Sequence, residues 1–236
     1  MLLYYFTSLR HGLSAIREKR LKVSRFTELN DTYDHVGIFV NNGEDLQDLA
    51  DQRRIFQDQA GIICMSKTYS EPLLWGHYAD SHRGMCLIFE AVDNGEWWSI
   101  DYIDQRPRVR DYGVLHFKDI PFDEILALSH KKFKNWSYEK EMRRLVALEK
   151  YDFADDFYYH EFDEQMVLRG ALFGSRVAIS ERQLHALLEH DRRLLYAFTQ
   201  PGETRFRVIV DQFVTRKRIQ ENQKIKFSRS GSILSW

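Results

Sequence analysis

Residues 61–89 decide the fold class, and they read GIICMSKTYSEPLLWGHYADSHRGMCLIF. Residues 61–65 and 85–89 are short, continuous apolar runs, a pattern that is typical of buried strands. Residues 71–81 between them predict a short helix, because Pro72 suits the first turn of a helix. Strand, helix and strand therefore follow one another closely, and the chain is predicted to mix both kinds of element.

The rest of the chain continues this mixture. Residues 2–6 predict a first strand, after which Ser8 caps a helix with Leu9, Leu13 and Ile16 on one face. Further helices are predicted at 44–59, 121–134 and 180–193, and further extended segments at 21–26, 97–103, 109–117, 144–148, 157–162, 166–173, 206–210 and 225–228. Strand–helix–strand units do not repeat cleanly, so the pattern favours an α+β fold with a mostly antiparallel sheet. The chain has no G-x-G-x-x-G or G-K-[ST] loop, which argues against a Rossmann or P-loop nucleotide site.

Composition places the chain among ordinary globular proteins. It has 236 residues, 44% hydrophobic and 29% charged, with a formal net charge of -1. That length supports a substantial core, and no linker is evident, so a single domain over residues 1–236 is predicted. Cys64 and Cys86 are flanked by apolar residues, which predicts buried, reduced thiols. The N-terminus does not read as a signal peptide and no run approaches a membrane span, so a cytoplasmic location is expected.

Aromatic and basic residues leave the class of ligand open. Aromatic residues make up 14% of the chain, and such side chains either fill cores or stack on planar rings. The near-neutral charge is not that of a dedicated nucleic-acid binder. Three short basic runs are either solvated faces or phosphate contacts: Arg106, Arg108 and Arg110; Lys131, Lys132 and Lys134; and Arg216, Lys217 and Arg218.

Residues 75–84, WGHYADSHRG, concentrate side chains that carry chemistry. His77 and His82 are five positions apart, which places them on different faces of a helix, unlike the spacing of zinc enzymes. A histidine that orients a loop through hydrogen bonds is the commoner role. Trp75 and Tyr78 are three apart, so they either pack in the core or sandwich a planar ring.

Residues 135–143, NWSYEKEMR, form the second such stretch. Glu139 and Glu141 lie two positions apart and point to the same face if a strand has already begun. Like charges on one face suit a site that meets a cation or a developing positive charge. The alternative is a structural pair of exposed glutamates that bridge Lys140, Arg143 or Arg144.

Four segments, read together, resemble a known bacterial family. They are LYYFTS at 3–8, SRFTELND at 24–31, LLWGHYADSHRGMC at 73–86 and WSYEKEMRRL at 136–145. Their order is similar to that of the domain of unknown function numbered twenty-nine seventy-one, which occurs among phage-defence and toxin-like genes. The resemblance covers residues 3–174.

A second resemblance is to ADP-ribosyltransferases, including toxins that modify DNA and RNA. It rests on LYYFT at 3–7 and on the E-x-E element at 139–141. It implies an α+β, mostly antiparallel split-sheet domain with surrounding helices, NAD as the substrate and no metal. Tyr5 stands where that family has a histidine that holds a ribose hydroxyl, and a tyrosine hydroxyl donates and accepts the same hydrogen bond.

The resemblance also implies roles for individual residues. Glu141 would stabilise the oxocarbenium-like transition state, and Glu139 would orient or deprotonate the acceptor. Glu141→Gln would then leave the fold intact and remove transfer. The residues expected to bind NAD are Tyr5 and Thr7 on the adenosine side, Arg25 at the pyrophosphate, Tyr78 or Trp75 stacked on the nicotinamide, and His77.

The acceptor and the class of protein remain open at this level. The resemblance implies a toxin or phage-defence effector that modifies a macromolecule, with nucleic acid favoured over protein and with a neutralising antitoxin as an expected partner. One alternative is a non-catalytic module that binds a nucleotide or a partner. A second alternative is a metal-dependent nuclease centred on His77, Asp80, His82 and Glu141. A third is a purely structural or antitoxin role.

Overall fold

The computed structural model describes residues 1–31, 33–34, 37–150, 152–154, 156–190 and 194–217. The helices are α1 (Leu9–Glu18), α2 (Gly43–Gln59), α3 (Pro72–Tyr78), α4 (Phe122–Leu128) and α5 (Glu181–His190). The strands are β1 (Leu2–Thr7), β2 (Arg20–Val23), β3 (Ala60–Ser66), β4 (Met85–Ala91), β5 (Trp98–Ser99), β6 (Asp101–Ile103), β7 (Lys131–Phe133), β8 (Glu141–Ala147), β9 (Asp152–Ala154), β10 (Phe157–Glu161), β11 (Met166–Phe173), β12 (Leu195–Pro201) and β13 (Val208–Val210).

Among the described residues, the main sheet has eight strands in the order β13-β12-β11-β4-β1-β3-β8-β5. Strand β1 is antiparallel to β3 and β4, and β11 is antiparallel to β4, whereas β11 and β12 are parallel. Smaller sheets join β2, β10 and β9, and β6 with β7. The predicted α+β class with a mostly antiparallel sheet is therefore confirmed, while the ADP-ribosyltransferase fold stays a prediction.

The chain divides into two compact units, each built from separate segments of sequence. Unit 1 comprises residues 1–21, 65–93 and 161–236, and unit 2 comprises residues 22–64 and 94–160. Because the segments interleave along the chain, no single linker separates the units. This explains why the sequence shows no boundary and reads as one domain over residues 1–236.

Unit 1 buries residues on both faces of its strands. Successive side chains of a strand point to opposite faces, so Tyr4 and Phe6 share one face of β1 while Tyr5 and Thr7 share the other. On the face of Tyr4 and Phe6, the Phe6 ring meets the Trp75 ring edge-on at 5.2 Å, within a core cluster that also contains Tyr4. On the other face, Gly12 of α1 packs against Met85 and Thr7 so closely that a side chain at position 12 would overlap the side chain of Met85.

Unit 2 has its own apolar cluster beneath α2. Its buried members are Ile38, Leu49, Val109, Phe117, Ile120 and Leu128. The N-terminus of α2 is tied to this cluster because buried Asp45 accepts a hydrogen bond from the Phe117 backbone N–H at 2.8 Å. Further buried polar residues of this unit lie on or beside β7 and β8.

Two predicted helix starts are confirmed. Ser8 is the N-cap of α1 and its Oγ accepts a hydrogen bond from the His11 N–H at 3.3 Å. Pro72 is the first residue of α3, where its missing N–H costs no helical hydrogen bond. Both signals act within one turn of helix, so tertiary packing did not override them.

Two predicted elements are wrong. The helix expected over residues 121–134 ends at Leu128, and Lys131–Phe133 forms β7 in parallel pairing with β6. The strand expected over 109–117 is replaced by short 3₁₀ turns, Val109–Tyr112 and Phe117–Asp119. In both places, side chains that are buried within unit 2, namely Val109, Phe117 and Lys132, decide the backbone instead of the local pattern. The strand predicted at 225–228 lies outside the described residues.

Among the described residues, no helix combines the length and the apolar character needed to cross a membrane.

Candidate active site

The backbone around the E-x-E element brings its two glutamates together. A 3₁₀ helix, Lys134–Glu139, ends at Glu139, and β8 begins at Glu141. Lys140 between them adopts a left-handed conformation, with φ 45° and ψ 47°. Glu139 is therefore not yet part of the strand, and the two carboxylates meet through this turn rather than through strand alternation.

Lys132 of β7 joins the two glutamates. Its Nζ donates to Glu139 Oε2 at 2.6 Å and to Glu141 Oε2 at 3.1 Å. The same Nζ lies 3.5 Å from Asp34 Oδ2. Like charges of the two glutamates are thus compensated by a shared cation.

Arg143 completes the cluster from the strand that carries Glu141. Its Nε donates to Glu141 Oε1 at 2.6 Å, and its two terminal nitrogens donate to Asp34 at 2.7 and 2.6 Å. A further bond from Nη1 reaches the Ser129 carbonyl at 2.8 Å. The planar guanidinium suits such paired contacts with carboxylates. Asp34, Lys132, Glu139, Glu141 and Arg143 are called the charge cluster below.

The charge cluster is almost completely buried, with side-chain exposures between 0% and 7%. It places three carboxylates around two cations. The structure therefore shows the alternative in which Glu139 and Glu141 form ion pairs. However, the glutamates are buried rather than exposed, and Lys132 and Arg143 are the partners.

Glu141 is ionised at neutral pH. Burial alone would raise the pKa of its carboxyl group, but Arg143 and Lys132 lie so close that they lower this pKa to about 2. Burial lowers the pKa of Lys132, yet Glu141, Glu139 and Asp34 outweigh that effect and raise it. Both groups therefore stay charged, and the cluster keeps fixed charges where they could act on a bound substrate.

Neutral groups surround Glu141. The Glu141 backbone N–H donates to the Tyr102 hydroxyl at 2.9 Å, and burial raises the pKa of that hydroxyl to about 12. Burial also raises the pKa of the Cys64 thiol, and the charge of Glu141 raises it further. Cys64 is therefore a protonated hydrogen-bonding neighbour rather than a nucleophile.

A cleft of about 320 Å³ in unit 2 includes Lys132 in its lining. Trp136 also lines it, and the Lys132 ammonium lies 5.0 Å from the centre of the Trp136 ring. The remaining lining residues mix aromatic, charged and small side chains: Asp31, Tyr33, Gly37, Ile103, Asp104, Gln105, Arg106, Lys131 and Phe133. Lys132 thus belongs both to the cleft and to the charge cluster.

The structure does not bring the predicted NAD-binding residues of unit 1 to one place. Tyr5 and Thr7 lie on the face of β1 opposite to the one that contacts Trp75. Trp75 is 0% exposed, and its ring nitrogen donates to the Tyr69 carbonyl at 2.6 Å. The nicotinamide-stacking role of Trp75 needs a free ring face, so the core-packing alternative is the one that the structure shows.

The other predicted binding residues keep accessible surface. His77 is exposed and Tyr78 is half-buried at the end of α3, with their rings 6.2 Å apart. Arg25 of unit 2 is 43% exposed and lies 3.7 Å from Glu28. Their roles in NAD binding stay predictions.

The nuclease hypothesis gains no support from the described residues. His77, Asp80 and His82 belong to unit 1 and Glu141 belongs to unit 2. Within the described ranges, no group of three or more His, Cys, Asp or Glu side chains is arranged to hold a metal ion. Asp80, Ser81 and His82 instead form a left-handed turn, each with positive φ, whose backbone is fixed by the His82 N–H donating to the Trp75 carbonyl at 3.0 Å.

Sequence reasoning missed two of the five members of the charge cluster. Lys132 was seen only as part of a basic run, and Asp34 carried no signal because it pairs with an arginine 109 residues away. The other lysines of this run also form ion pairs. Lys131 donates to Asp101 at 3.0 Å, and Lys134 pairs with Asp104. A phosphate-binding surface is therefore not what residues 131–134 form.

Comparison of the chain with protein-family models, with curated proteins and with solved structures finds no match.

Proposed function

We propose that this protein is an NAD-dependent ADP-ribosyltransferase in which Glu141 is the catalytic carboxylate. The observation that carries the proposal is an ionised glutamate at the first residue of β8, held in place by Arg143 and Lys132. Fixed charge of this kind stabilises a transition state without reorganisation at the moment of reaction. Lys132 links Glu141 to the cleft, so NAD is proposed to enter there and to displace the ammonium group of Lys132.

The chemistry follows from the charges. The bond between the ribose C1′ and the nicotinamide nitrogen breaks, and the electron pair leaves with nicotinamide. The positive charge that develops on the ribose is stabilised by Glu141. An acceptor nucleophile then bonds to C1′ while Glu139 takes its proton. Three carboxylates against two cations give the described cluster an excess of negative charge that favours this transition state.

Transfer of label from NAD tests this function. Purified protein with labelled NAD and DNA, RNA or lysate protein is expected to release nicotinamide and to label one acceptor class. Glu141→Gln is expected to lower nicotinamide release at least about 100-fold, since it removes the charge that the transition state needs. Full activity of this variant would exclude Glu141 as the catalytic group.

Folding must be measured beside activity, because Glu141 is buried among charges. The Gln variant leaves Arg143 and Lys132 with less compensation, so we now expect it to lose stability as well as activity. Glu141→Asp keeps the charge but retracts the carboxylate, and it should lose transfer while staying folded by circular dichroism. Glu124→Gln, on the exposed surface of α4, is the matched control and should keep full activity.

A non-catalytic nucleotide-binding module is the second candidate. It is favoured by the ion pairs themselves, because Glu139 contacts Lys132 and Glu141 contacts both cations. A binding module predicts saturable NAD binding by calorimetry without nicotinamide release. Such a result with folded protein would replace the enzyme proposal.

A nucleic-acid acceptor is proposed in preference to protein. Phe206 is 104% exposed and stands between Arg205 and Arg207, before β13. A fully exposed aromatic ring between two cations suits base stacking with phosphate contacts. As an effector of this kind, the protein would also have a neutralising antitoxin as a partner.

Phe206→Ala tests the acceptor class. We expect it to weaken binding of a fluorescent single-stranded oligonucleotide about tenfold, because stacking on one aromatic residue contributes about 1–3 kcal/mol. The binding should also weaken with salt. Leu115→Ala, another exposed apolar position at 71% exposure, should not change it. Equal binding by all three proteins would contradict a role for Phe206.

A further inference from the structure

The cleft of about 320 Å³ in unit 2 is lined by three aromatic side chains. They are Tyr33, which is 67% exposed, Phe133, which is 44% exposed, and half-buried Trp136. Small-molecule sites in proteins are concave, lined largely by aromatic and apolar side chains, and about 300–1,000 Å³ in volume. A cleft at the lower end of that range suits a single planar ring with its attached sugar rather than a whole dinucleotide.

Trp136 lies against a positive charge. The Lys132 ammonium is 5.0 Å from the centre of the Trp136 ring, which is close enough for a cation–π interaction. The face of an aromatic ring is electron-rich, so it attracts cations rather than anions. In the proposed function NAD displaces the Lys132 ammonium, and a positively charged planar ring then replaces one cation by another at Trp136.

Asp31 places a hydrogen-bond acceptor in the same lining. Its Oδ1 accepts a hydrogen bond from the Tyr33 backbone N–H at 2.9 Å. Its Oδ2 is buried, and no residue in the described ranges donates a hydrogen bond to it. A buried acceptor without a donor lowers stability, so Asp31 is suited to a ligand that brings both an N–H group and a positive charge.

The other charged side chains of the cleft lining have partners within the fold. Asp104 pairs with Lys134, Lys131 pairs with Asp101 at 3.0 Å, Lys132 belongs to the charge cluster, and Arg106 has an interaction of its own. Asp31 therefore differs from them, because one of its oxygens is left for a donor that a ligand supplies. Asp104 also gives a matched control, since it is an acidic residue of the same lining that is already paired.

We propose that this cleft binds the nicotinamide ring of NAD, with Trp136 and Tyr33 against the ring and Asp31 at its carboxamide. The choice of NAD rests on the proposed function. The oxidised ring is planar and positively charged, and its carboxamide N–H groups are hydrogen-bond donors, so it matches both the aromatic rings and the acidic acceptor. These residues then take the nicotinamide-binding role that was expected of Tyr78 or Trp75.

The charge of the ring changes during the proposed reaction. Nicotinamide leaves as a neutral molecule, so its attraction to Asp31 and to the aromatic faces weakens once the bond to the ribose has broken. Asp31 therefore acts on binding and not on the bond-breaking step. We expect Asp31→Asn to raise the KM for NAD about tenfold and to leave kcat nearly unchanged.

Binding of 1-methylnicotinamide tests the site without relying on catalysis, because this probe is the charged ring without the rest of NAD. By calorimetry, wild-type protein is expected to bind it about tenfold more tightly than neutral nicotinamide. Asp31→Asn should lose most of that preference, because asparagine keeps an acceptor oxygen but not the charge. Asp104→Asn should keep the preference, and Trp136→Leu should weaken the binding of both compounds.

Retained nicotinamide binding by Asp31→Asn shows that this variant is folded, and circular dichroism checks the same point. Wild-type protein that does not bind 1-methylnicotinamide would overturn the proposal. The same preference for the charged ring in Asp31→Asn as in the wild type would also overturn it.

Competition experiments separate the ligand from the function. NAD should displace 1-methylnicotinamide more effectively than NADH does, because the reduced ring is uncharged. Asp31-dependent binding without any transfer of ADP-ribose would support the site and count against the enzyme proposal alone. Displacement of the probe by 7-methylguanosine, another planar cation, but not by NAD would assign the cleft to a modified base and overturn the nicotinamide assignment.

Discussion

Arg143→Met is expected to lower the free energy of unfolding by about 3–5 kcal/mol, measured by urea denaturation. The side chain is 0% exposed and donates to Glu141, Asp34 and the Ser129 carbonyl. Methionine fills similar volume but leaves three carboxylates buried beside Lys132 alone. An uncompensated buried charge is among the most destabilising changes that a single substitution can make.

The control for Arg143 is Arg169→Met. Arg169 also lies in a strand and pairs with Glu90, but both side chains are 53% exposed. Its loss should cost about 1 kcal/mol or less. The double variant Glu141→Gln, Arg143→Met should lose less free energy of unfolding than the two single variants lose together. Each substitution removes a charge that the other one would leave without its partner. Equal effects at the two arginines would show that the charge cluster does not hold unit 2 together.

Acidification is expected to destabilise the protein in two steps, and His130 causes the first. Burial and the neighbouring charge of Arg143 lower the pKa of His130 from 6.5 to about 4. The His130 ring therefore takes up a proton at higher pH in the unfolded chain than in the folded chain. The contribution of neutral His130 to the free energy of unfolding is complete above pH 6.5 and is lost as the pH falls towards 4. The loss by pH 4.5 is about 2–3 kcal/mol, because the two pH units between 6.5 and 4.5 contribute up to about 1.36 kcal/mol each.

Glu141 causes the second step. Its folded pKa of about 2 lies below the ordinary value of 4.5, so its contribution is complete above pH 4.5 and is lost as pH falls towards 2. Urea titrations at intervals between pH 7.5 and 2 measure both steps, and the fluorescence of Trp98, stacked 4.4 Å from the His130 ring, reports on the surroundings of His130. His130→Phe should flatten the curve between pH 6.5 and 4.5, while His11→Gln on the exposed surface of α1 should leave it unchanged. A curve of His130→Phe that falls as steeply as the wild type would contradict this account.

Local signals predicted the elements that depend on near neighbours. Ser8 at the start of α1 and Pro72 at the start of α3 act within one turn, and both were read correctly. The apolar runs at 61–65 and 85–89 became β3 and β4 because a buried strand needs little beyond continuous apolar residues. The helix predicted over residues 121–134 is wrong in its second half, because residues 131–133 pair with β6 and place Lys132 in the charge cluster.

The candidate site was predictable in its residue types but not in its partners. Spacing indicated that Glu139 and Glu141 act together, and the structure joins them through Lys132. Spacing could not indicate that Asp34 approaches from a distant part of the chain. It also could not show that Tyr5 and Trp75 lie on opposite faces of β1, because that depends on which helix covers each face.

Residue patterns along the chain were sufficient to predict the mixed α+β class, the positions of most strands and the pairing of two glutamates in one short segment. These features follow from propensities and spacings that act over a few residues. Only tertiary packing buries the glutamates and brings Lys132 and Arg143 beside them. Those outcomes depend on burial and on charges brought together across up to 109 positions, which no local pattern encodes.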